Sequence, residues 1–156
     1  MRMYHLILAS ALMLGAPADS AAAPIDQPFT LCSGWPNTLA LRSLQFDPSP
    51  PSIKKPFLLV ASGTLAMTIQ PGAKMTVTQT LGSMPVAQSN LDLCAKASLS
   101  GLTCPIAPGA YSIRQDISEP AGIQIPPFVP IKVHVEAYNG DGSKLLCFDT
   151  NVKFTP

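Results

Sequence analysis

The sequence predicts an all-β protein, a sandwich of two antiparallel sheets with about seven short strands. Apolar runs of strand length recur along the chain, separated by Pro, Gly, Asn and Asp. The apolar mass is aliphatic, because hydrophobic residues make up 47% of the chain and aromatic residues only 6%. The 17 prolines lie between the apolar runs, which suits short strands joined by stiff turns. No helical stretch is predicted.

The first half of the sandwich is predicted from four segments. Residues 38–46 are the first strand, which ends at a proline-rich run. Residues 56–69 are the second, with the odd-numbered positions on one face. Residues 73–81 are the third, since Met, Val and Leu alternate with Lys and Thr. Residues 82–93 are ambiguous, because Pro85 favours an edge strand or a bulge.

The second half is patterned more regularly. Residues 111–118 alternate Tyr and Ile with Ser, Arg and Asp, and a connector rich in Pro, Gly and Ile follows at 119–130. Residues 131–138 have the cleanest alternation in the chain. The run Asn-Gly-Asp-Gly at 139–142 is a strong hairpin signal. Residues 144–154 are predicted to be the return strand.

Residues 1–23 are predicted to be a secretory signal peptide. Arg2 gives a positive start, residues 6–16 are an apolar run, and residues 20–23 are small, as at a cleavage site. A membrane anchor is disfavoured because a spanning helix needs about 20 apolar residues. We therefore expect a secreted or lumenal protein with one domain, residues 24–156.

Four cysteines in an oxidising compartment predict two disulfides. Three pairings are possible. Cys94 and Cys104 are close in sequence, which favours a bridge between them and leaves Cys32 to pair with Cys147. The segment 91–110 is then a disulfide-closed loop whose bases are anchored in a sheet. No Cys-x-x-Cys occurs, so no metal site is expected.

The sequence gives little support for catalysis. After residue 23 the only histidine is His134, which lies on the polar face of the segment 131–138, and a solvated surface histidine is the expected role. The net charge of +1 is spread without runs, which argues against nucleic acid as a partner. No catalytic residue, metal or cofactor is predicted.

Motifs spread from about Cys32 to Phe154 carry a resemblance to a known family. They are Asp92-Leu93-Cys94 with Cys104-Pro105-Ile106 and Pro108-Gly109, Phe46-Asp47-Pro48-Ser49-Pro50-Pro51, Ala61-Ser62-Gly63 with Ile69-Gln70-Pro71-Gly72-Ala73, and Leu146-Cys147-Phe148 with Val152-Lys153-Phe154. With these motifs the chain resembles the ML-domain lipid-recognition proteins, in particular the fungal phosphatidylglycerol/phosphatidylinositol transfer proteins and the Niemann-Pick type C cholesterol carriers. The resemblance implies an immunoglobulin-like sandwich whose sheets splay apart around a lipid, with bridges Cys32–Cys147 and Cys94–Cys104. The third disulfide of the animal sterol carriers has no counterpart here.

This resemblance implies a lipid carrier. The protein would hold one phospholipid or sterol between its sheets and exchange it between membranes, as a monomer in transient contact with the bilayer. Its expected location is the extracellular space or the vacuolar or lysosomal lumen. The alternative is a lipid-recognition module that presents lipid to a protein partner without transfer, and an enzyme that uses His134 comes third.

Twelve inward-alternating residues are predicted to form the lipid-binding wall. They are Phe57, Leu59, Met75, Val77, Leu81, Ile106, Ile113, Phe128, Ile131, Val133, Val135 and Phe148. Each would equally suit the core of a closed sandwich. The mouth is predicted at residues 82–90, the disulfide loop and the connector segment Pro126-Pro127-Phe128.

Overall fold

The computed structural model describes residues 26–118 and 125–156. The predicted signal peptide and residues 119–124 of the predicted connector lie outside this part of the chain. The elements of the described residues are β1 (Phe29–Leu31), β2 (Leu39–Asp47), β3 (Phe57–Leu65), β4 (Lys74–Leu81), β5 (Met84–Asp92), α1 (Leu93–Ser98), β6 (Gly109–Ile117), β7 (Ile131–Tyr138) and β8 (Lys144–Val152).

The strands form two antiparallel sheets, which confirms the predicted all-β sandwich. The large sheet has the order β1-β8-β7-β4-β5, and the small sheet has the order β2-β3-β6. The described residues contain eight strands rather than about seven. The additional strand, β1, pairs with β8 over three residues, which is too short for an alternating pattern to be read from the sequence.

The predicted strand segments all form strands, with some changes at their ends. β3 stops at Leu65, four residues earlier than predicted, and Ile69 instead forms an isolated bridge with Ile106. The ambiguous segment is β5, at the edge of the large sheet. Its register with β4 shifts near Pro85, as expected for a residue that cannot donate a ladder hydrogen bond.

The prediction of no helix is wrong at α1, which lies inside the segment expected to be a loop. Asp92 caps α1, since its Oδ1 accepts a hydrogen bond from the backbone N–H of Ala95 at 3.0 Å. Six residues are too few to show helical periodicity in the sequence, and so short a helix is marginal in isolation. The cap and the Cys94–Cys104 bridge therefore contribute much of its stability.

Both disulfides have the favoured pairing. Cys32–Cys147 ties the end of β1 to β8, and Cys94–Cys104 closes the loop that contains α1. The sequence separations are 115 and 10 residues. In the chain-entropy model, such loops correspond to about 5 and about 3 kcal/mol of stabilisation.

The β7–β8 hairpin forms where the sequence predicts it, and it is tied to the β3–β4 connection. The buried Asn139 side chain donates to the carbonyl of Thr68 at 2.9 Å and accepts from the N–H of Gln70 at 2.8 Å. In the turn, hydrogen bonds from Ser143 lower the pKa of Asp141. These contacts fix the end of the sandwich that also contains α1.

The two sheets approach each other most closely along β2 and β8. Gln27 links them, because its backbone N–H donates to the carbonyl of Leu44 at 2.6 Å and its Nε2 donates to Thr150 Oγ1 at 3.0 Å. In the described part of the chain, β6 has no comparable neighbour in the large sheet. The inner faces therefore diverge toward the β6 side and leave space between them.

Candidate functional site

An apolar cavity of about 340 Å³ lies between the two sheets. This volume falls within the range of about 300–1,000 Å³ that is typical of small-molecule sites. The wall is built from the inner faces of both sheets and from α1 with the segment that follows it. A fully closed sandwich would leave no space of this size, because protein interiors pack to crystal-like density.

Strand alternation explains which side chains reach the cavity. On β3 the odd-numbered positions Phe57, Leu59 and Ala61 line it, as the period of two predicts. On β2 the inward positions change from odd to even numbers, because the register with β3 shifts between Leu41 and Ser43.

The two ends of the cavity differ in construction. At one end, α1 supplies Leu93 and Ala97 to the wall, and the rest of the Cys94–Cys104 loop supplies Leu102. At the other end, Phe57 packs edge-to-face against Phe46 and Phe154, with ring centroids 5.6 and 6.0 Å apart. The cavity therefore runs along the strands from the disulfide loop to an aromatic cluster.

Nine of the twelve residues predicted for the wall line this cavity. They are Phe57, Leu59, Met75, Val77, Ile106, Ile113, Val133, Val135 and Phe148.

The other three predicted residues lie away from the cavity. Leu81 and Ile131 pair with each other at the ends of β4 and β7, where Ile131 is 1% exposed and packs as core. Phe128 is 64% exposed, in the connector before β7. Its backbone has a φ of 65°, and alternation does not apply to a residue outside a strand.

Of the three segments predicted to form the mouth, one lines the cavity and two do not. The disulfide loop contributes to the wall, whereas residues 82–90 and 126–128 do not line it. Residues 84–90 belong to β5 at the edge of the large sheet. Leu91, the next residue along this edge, does reach the cavity.

The wall residues that sequence reasoning missed include three instructive groups. The first is the inner face of β2, whose pattern is broken by the register shift, and the second is α1. The third is the pair Gln79 and Gln115, which line the cavity at inward strand positions. Alternation alone would have placed both glutamines inside, but their polarity excluded them from a wall chosen for apolar side chains.

A polar cluster centred on His134 covers part of the opposite, outer face of the large sheet. The His134 Nδ1 lies 2.7 Å from Asp149 Oδ1, and its Nε2 lies 3.1 Å from Glu136 Oε1. The hydrogen bond to Glu136 raises the pKa of His134, burial opposes that rise, and Asp149 adds to it. His134 is thus a half-buried, paired residue rather than the freely solvated one that the sequence predicted.

The same face brings potential metal-ligating atoms together. The ligand atoms of Cys32, His134 and Cys147 lie within 4.8 Å of one another. The two sulfur atoms are bonded to each other, so neither is a thiolate that could bind a metal ion. The Cys32–Cys147 bridge anchors the end of β1 on β8 instead.

The sequence profile of the ML domain matches residues 26–154. The chain belongs to the ML-domain family. This confirms the resemblance carried by the cysteine and proline motifs. The family consists of lipid-binding domains without enzymatic activity, and the protein is accordingly not an enzyme.

The fungal relatives agree with this assignment. The phosphatidylglycerol/phosphatidylinositol transfer protein of Debaryomyces hansenii is 32% identical over 142 residues, which cover 90% of this chain and 71% of that protein. The protein of the same name from Aspergillus fumigatus is 29% identical over 143 residues, which cover 85% of this chain and 80% of that protein.

A solved structure supports the fold independently. The Niemann-Pick type C2 protein from Japanese carpenter ant matches with a TM-score of 0.58 and 13% sequence identity, over 85% of this chain and 99% of that one. The match confirms the predicted immunoglobulin-like sandwich. Within the described residues, no helix has the length and apolar character needed to cross a membrane.

Proposed function

We propose that the protein binds one phospholipid or sterol in the cavity and exchanges it between membranes. The observation that carries this proposal is the cavity itself, about 340 Å³ with an almost entirely apolar wall, in a member of the ML-domain family. The names of the fungal relatives, phosphatidylglycerol/phosphatidylinositol transfer proteins, support transfer rather than storage alone.

The energetics favour a hydrocarbon occupant. Each buried methylene contributes about 0.8 kcal/mol, so ten methylenes contribute about 8 kcal/mol before the costs of association and ordering. By itself, about 8 kcal/mol would correspond to a micromolar Kd. The costs of association and ordering weaken the binding, which permits both uptake and release. Filling the space also restores the dispersion contacts that the wall of an empty cavity lacks.

Exposed apolar side chains at one end of the sandwich support transient contact with a bilayer. Met84 lies at the β4–β5 turn and is 59% exposed, and Phe128 and Val129 are exposed in the connector before β7. The pairing of Leu81 with Ile131 places this turn and this connector at the same end of the large sheet. Side chains of this type insert favourably at a membrane interface.

The two disulfides support an extracellular or vacuolar/lysosomal lumenal location, because such bridges persist in oxidising compartments. The signal sequence predicted at residues 1–23 would deliver the chain there. We propose that it acts as a monomer, since a carrier with a single cavity is complete within one chain.

A vesicle-to-vesicle transfer assay tests the proposal. Donor vesicles contain self-quenched fluorescent phosphatidylglycerol or a fluorescent sterol, and acceptor vesicles are unlabelled. The secreted full-length gene product is added at a concentration far below that of the labelled lipid. We expect dequenching to accelerate in proportion to protein concentration. Uptake of labelled lipid without acceleration would instead favour the presenting module, and an absence of both uptake and acceleration would contradict the proposal.

A further inference from the structure

The mainly apolar cavity wall includes two glutamine side chains. Gln79 on β4 and Gln115 on β6 line the cavity from facing sheets. Both occupy inward positions of their strands, in line with Met75 and Val77 on β4 and with Ile113 on β6. Alternation therefore directs their amide groups toward the cavity rather than toward solvent.

The side-chain oxygen of Gln79 is buried and has no hydrogen-bond partner among the described residues. A buried acceptor without a donor carries the full penalty of losing its water. Buried polar atoms in folded proteins are therefore almost always paired, and each exception needs an explanation. Because this oxygen belongs to the wall of the candidate site, a ligand group is a direct explanation.

Strand pairing places both glutamines in the half of the cavity that ends at the aromatic cluster. Gln115 pairs with Leu59, one inward position from Phe57, whose ring packs 6.0 Å from that of Phe154. Gln79 lies two residues before the end of β4 at the same end of the large sheet.

The charged residue of the wall lies at the opposite end. Lys96, the one charged side chain among the described residues that line the cavity, belongs to α1. The helix is attached next to the start of β4, because Leu93 donates its backbone N–H to the carbonyl of Ala73 at 3.0 Å. The Gln79 half of the cavity is thus polar but uncharged.

A hydroxyl group is the partner that suits this position. Its O–H donates to the amide oxygen of Gln79. An ionised phosphate or carboxylate has no proton to donate to the oxygen. An ammonium group would bring a charge into an apolar site without a counter-ion, which is costly.

We infer that Gln79, with Gln115 on the facing sheet, binds a hydroxyl group of the lipid. This contact determines how the lipid is oriented in the cavity and which lipids are selected. This inference rests on the proposed function and specifies its ligand. Two lipid sources supply the hydroxyl: the ring hydroxyl of a sterol, and the polyol headgroup of a phospholipid such as phosphatidylglycerol. In either case the hydroxyl lies in the Gln79 half, and the hydrocarbon extends toward α1.

Matched lipid pairs and a matched variant test the inference. Cholesterol is compared with its methyl ether, which cannot donate, and phosphatidylglycerol with phosphatidylmethanol, which keeps the phosphate but lacks the glycerol hydroxyls. Affinities are measured by displacement of a fluorescent fatty acid from the wild-type protein, from Gln79→Met and from Gln88→Met. Methionine keeps the length of glutamine without its amide, and Gln88 is exposed on the neighbouring strand β5.

The wild type should prefer the hydroxyl-bearing member of at least one pair about fivefold to tenfold, as expected for one hydrogen bond. Gln79→Met should lose that preference and unfold at a urea concentration no lower than the wild type, because the unpaired oxygen is gone. Gln88→Met should keep the preference. The pair that shows the effect identifies the lipid source.

Other results would overturn the inference. If the wild type binds both members of each pair equally while transferring lipid, Gln79 does not select a hydroxyl and the proposed function still stands. Retention of the preference in Gln79→Met would show that the selecting group lies elsewhere. Failure of the wild type to bind any of the four lipids would overturn the proposed function and this inference with it.

Discussion

Filling the cavity with a side chain should remove lipid binding without unfolding the protein. Ala61 lies on β3 in the wall of the cavity, and Ala61→Phe projects a phenyl ring into the space. The ring displaces about six methylene equivalents of ligand, which at about 0.8 kcal/mol each corresponds to about 5 kcal/mol. The affinity for a long-chain lipid should therefore fall by more than about 1,000-fold.

The matched control is Val60→Phe on the same strand. Val60 does not line the cavity, and it pairs with Gln45 and Arg114 on the outer face of the small sheet. This variant should bind lipid as the wild type does. Ala61→Phe should unfold at a temperature equal to or above that of the lipid-free wild type, because the ring occupies existing space instead of overpacking a filled core.

Fluorescent fatty-acid titration and thermal unfolding, followed by circular dichroism, measure the two effects. A folded Ala61→Phe protein that binds lipid with wild-type affinity would contradict this prediction, since the ligand would then lie outside the cavity. Equal losses in Ala61→Phe and Val60→Phe would point to a general effect of the bulky substitution on the small sheet.

Three further perturbations test the surrounding structure. The double change Cys94→Ser and Cys104→Ser should lower the free energy of unfolding by about 3 kcal/mol, measured by urea titration. It should also increase the rate of lipid dissociation. An unchanged dissociation rate would show that the disulfide loop does not help to retain the ligand. The two carboxylate partners stabilise protonated His134, and its raised pKa therefore contributes to the free energy of unfolding. This contribution is fully present below about pH 6 and is lost as the pH rises through the folded-state pKa. Because His134 is about one-third exposed (35%), this contribution should stay well below about 1 kcal/mol. Urea titrations at several pH values should show the loss of stability in the wild type but not in His134→Gln. Identical pH profiles for the two proteins would contradict the pairing. Asn139→Ala should destabilise the protein by about 2–4 kcal/mol, because it leaves buried backbone groups without partners; a urea midpoint within error of the wild type would contradict that role.

The regular strands could be predicted because their two faces meet different surroundings. In β7, Val133, Val135 and Ala137 line the cavity, while His134 and Glu136 belong to the polar cluster on the outer face. A strand between an apolar space and a polar surface must alternate at every position. The alternation of β7 can therefore be recognised in the sequence without knowing which strands pair with it.

The irregular elements depend on tertiary structure that the pattern does not contain. The shift between Leu41 and Ser43 exchanges the inward positions of β2, and no side-chain period marks a bulge in advance. α1 is only six residues long and lies within a disulfide-closed loop. Its Asp92 cap is a local signal that is too common by itself to predict a helix.

The cavity itself was predicted by resemblance and not by pattern. Residues such as Leu59 and Val135 would alternate inward in a closed sandwich as well, because a dry core and a lipid-binding wall demand the same aliphatic side chains. The separation of the sheets depends on where they make contact, along β2 and β8, and this information lies in three dimensions. Gln79 was missed for a related reason, since a polar residue inside an apolar cavity has meaning only once a ligand is considered.

Native mass spectrometry of the full-length gene product, recovered from culture medium without detergent, would detect a lipid held between the sheets. We expect one bound lipid per chain, identified after extraction as a phospholipid or sterol and absent from Ala61→Phe. Protein that emerges at its bare mass, and remains at that mass after incubation with lipid vesicles, would show that the space between the sheets does not bind lipid.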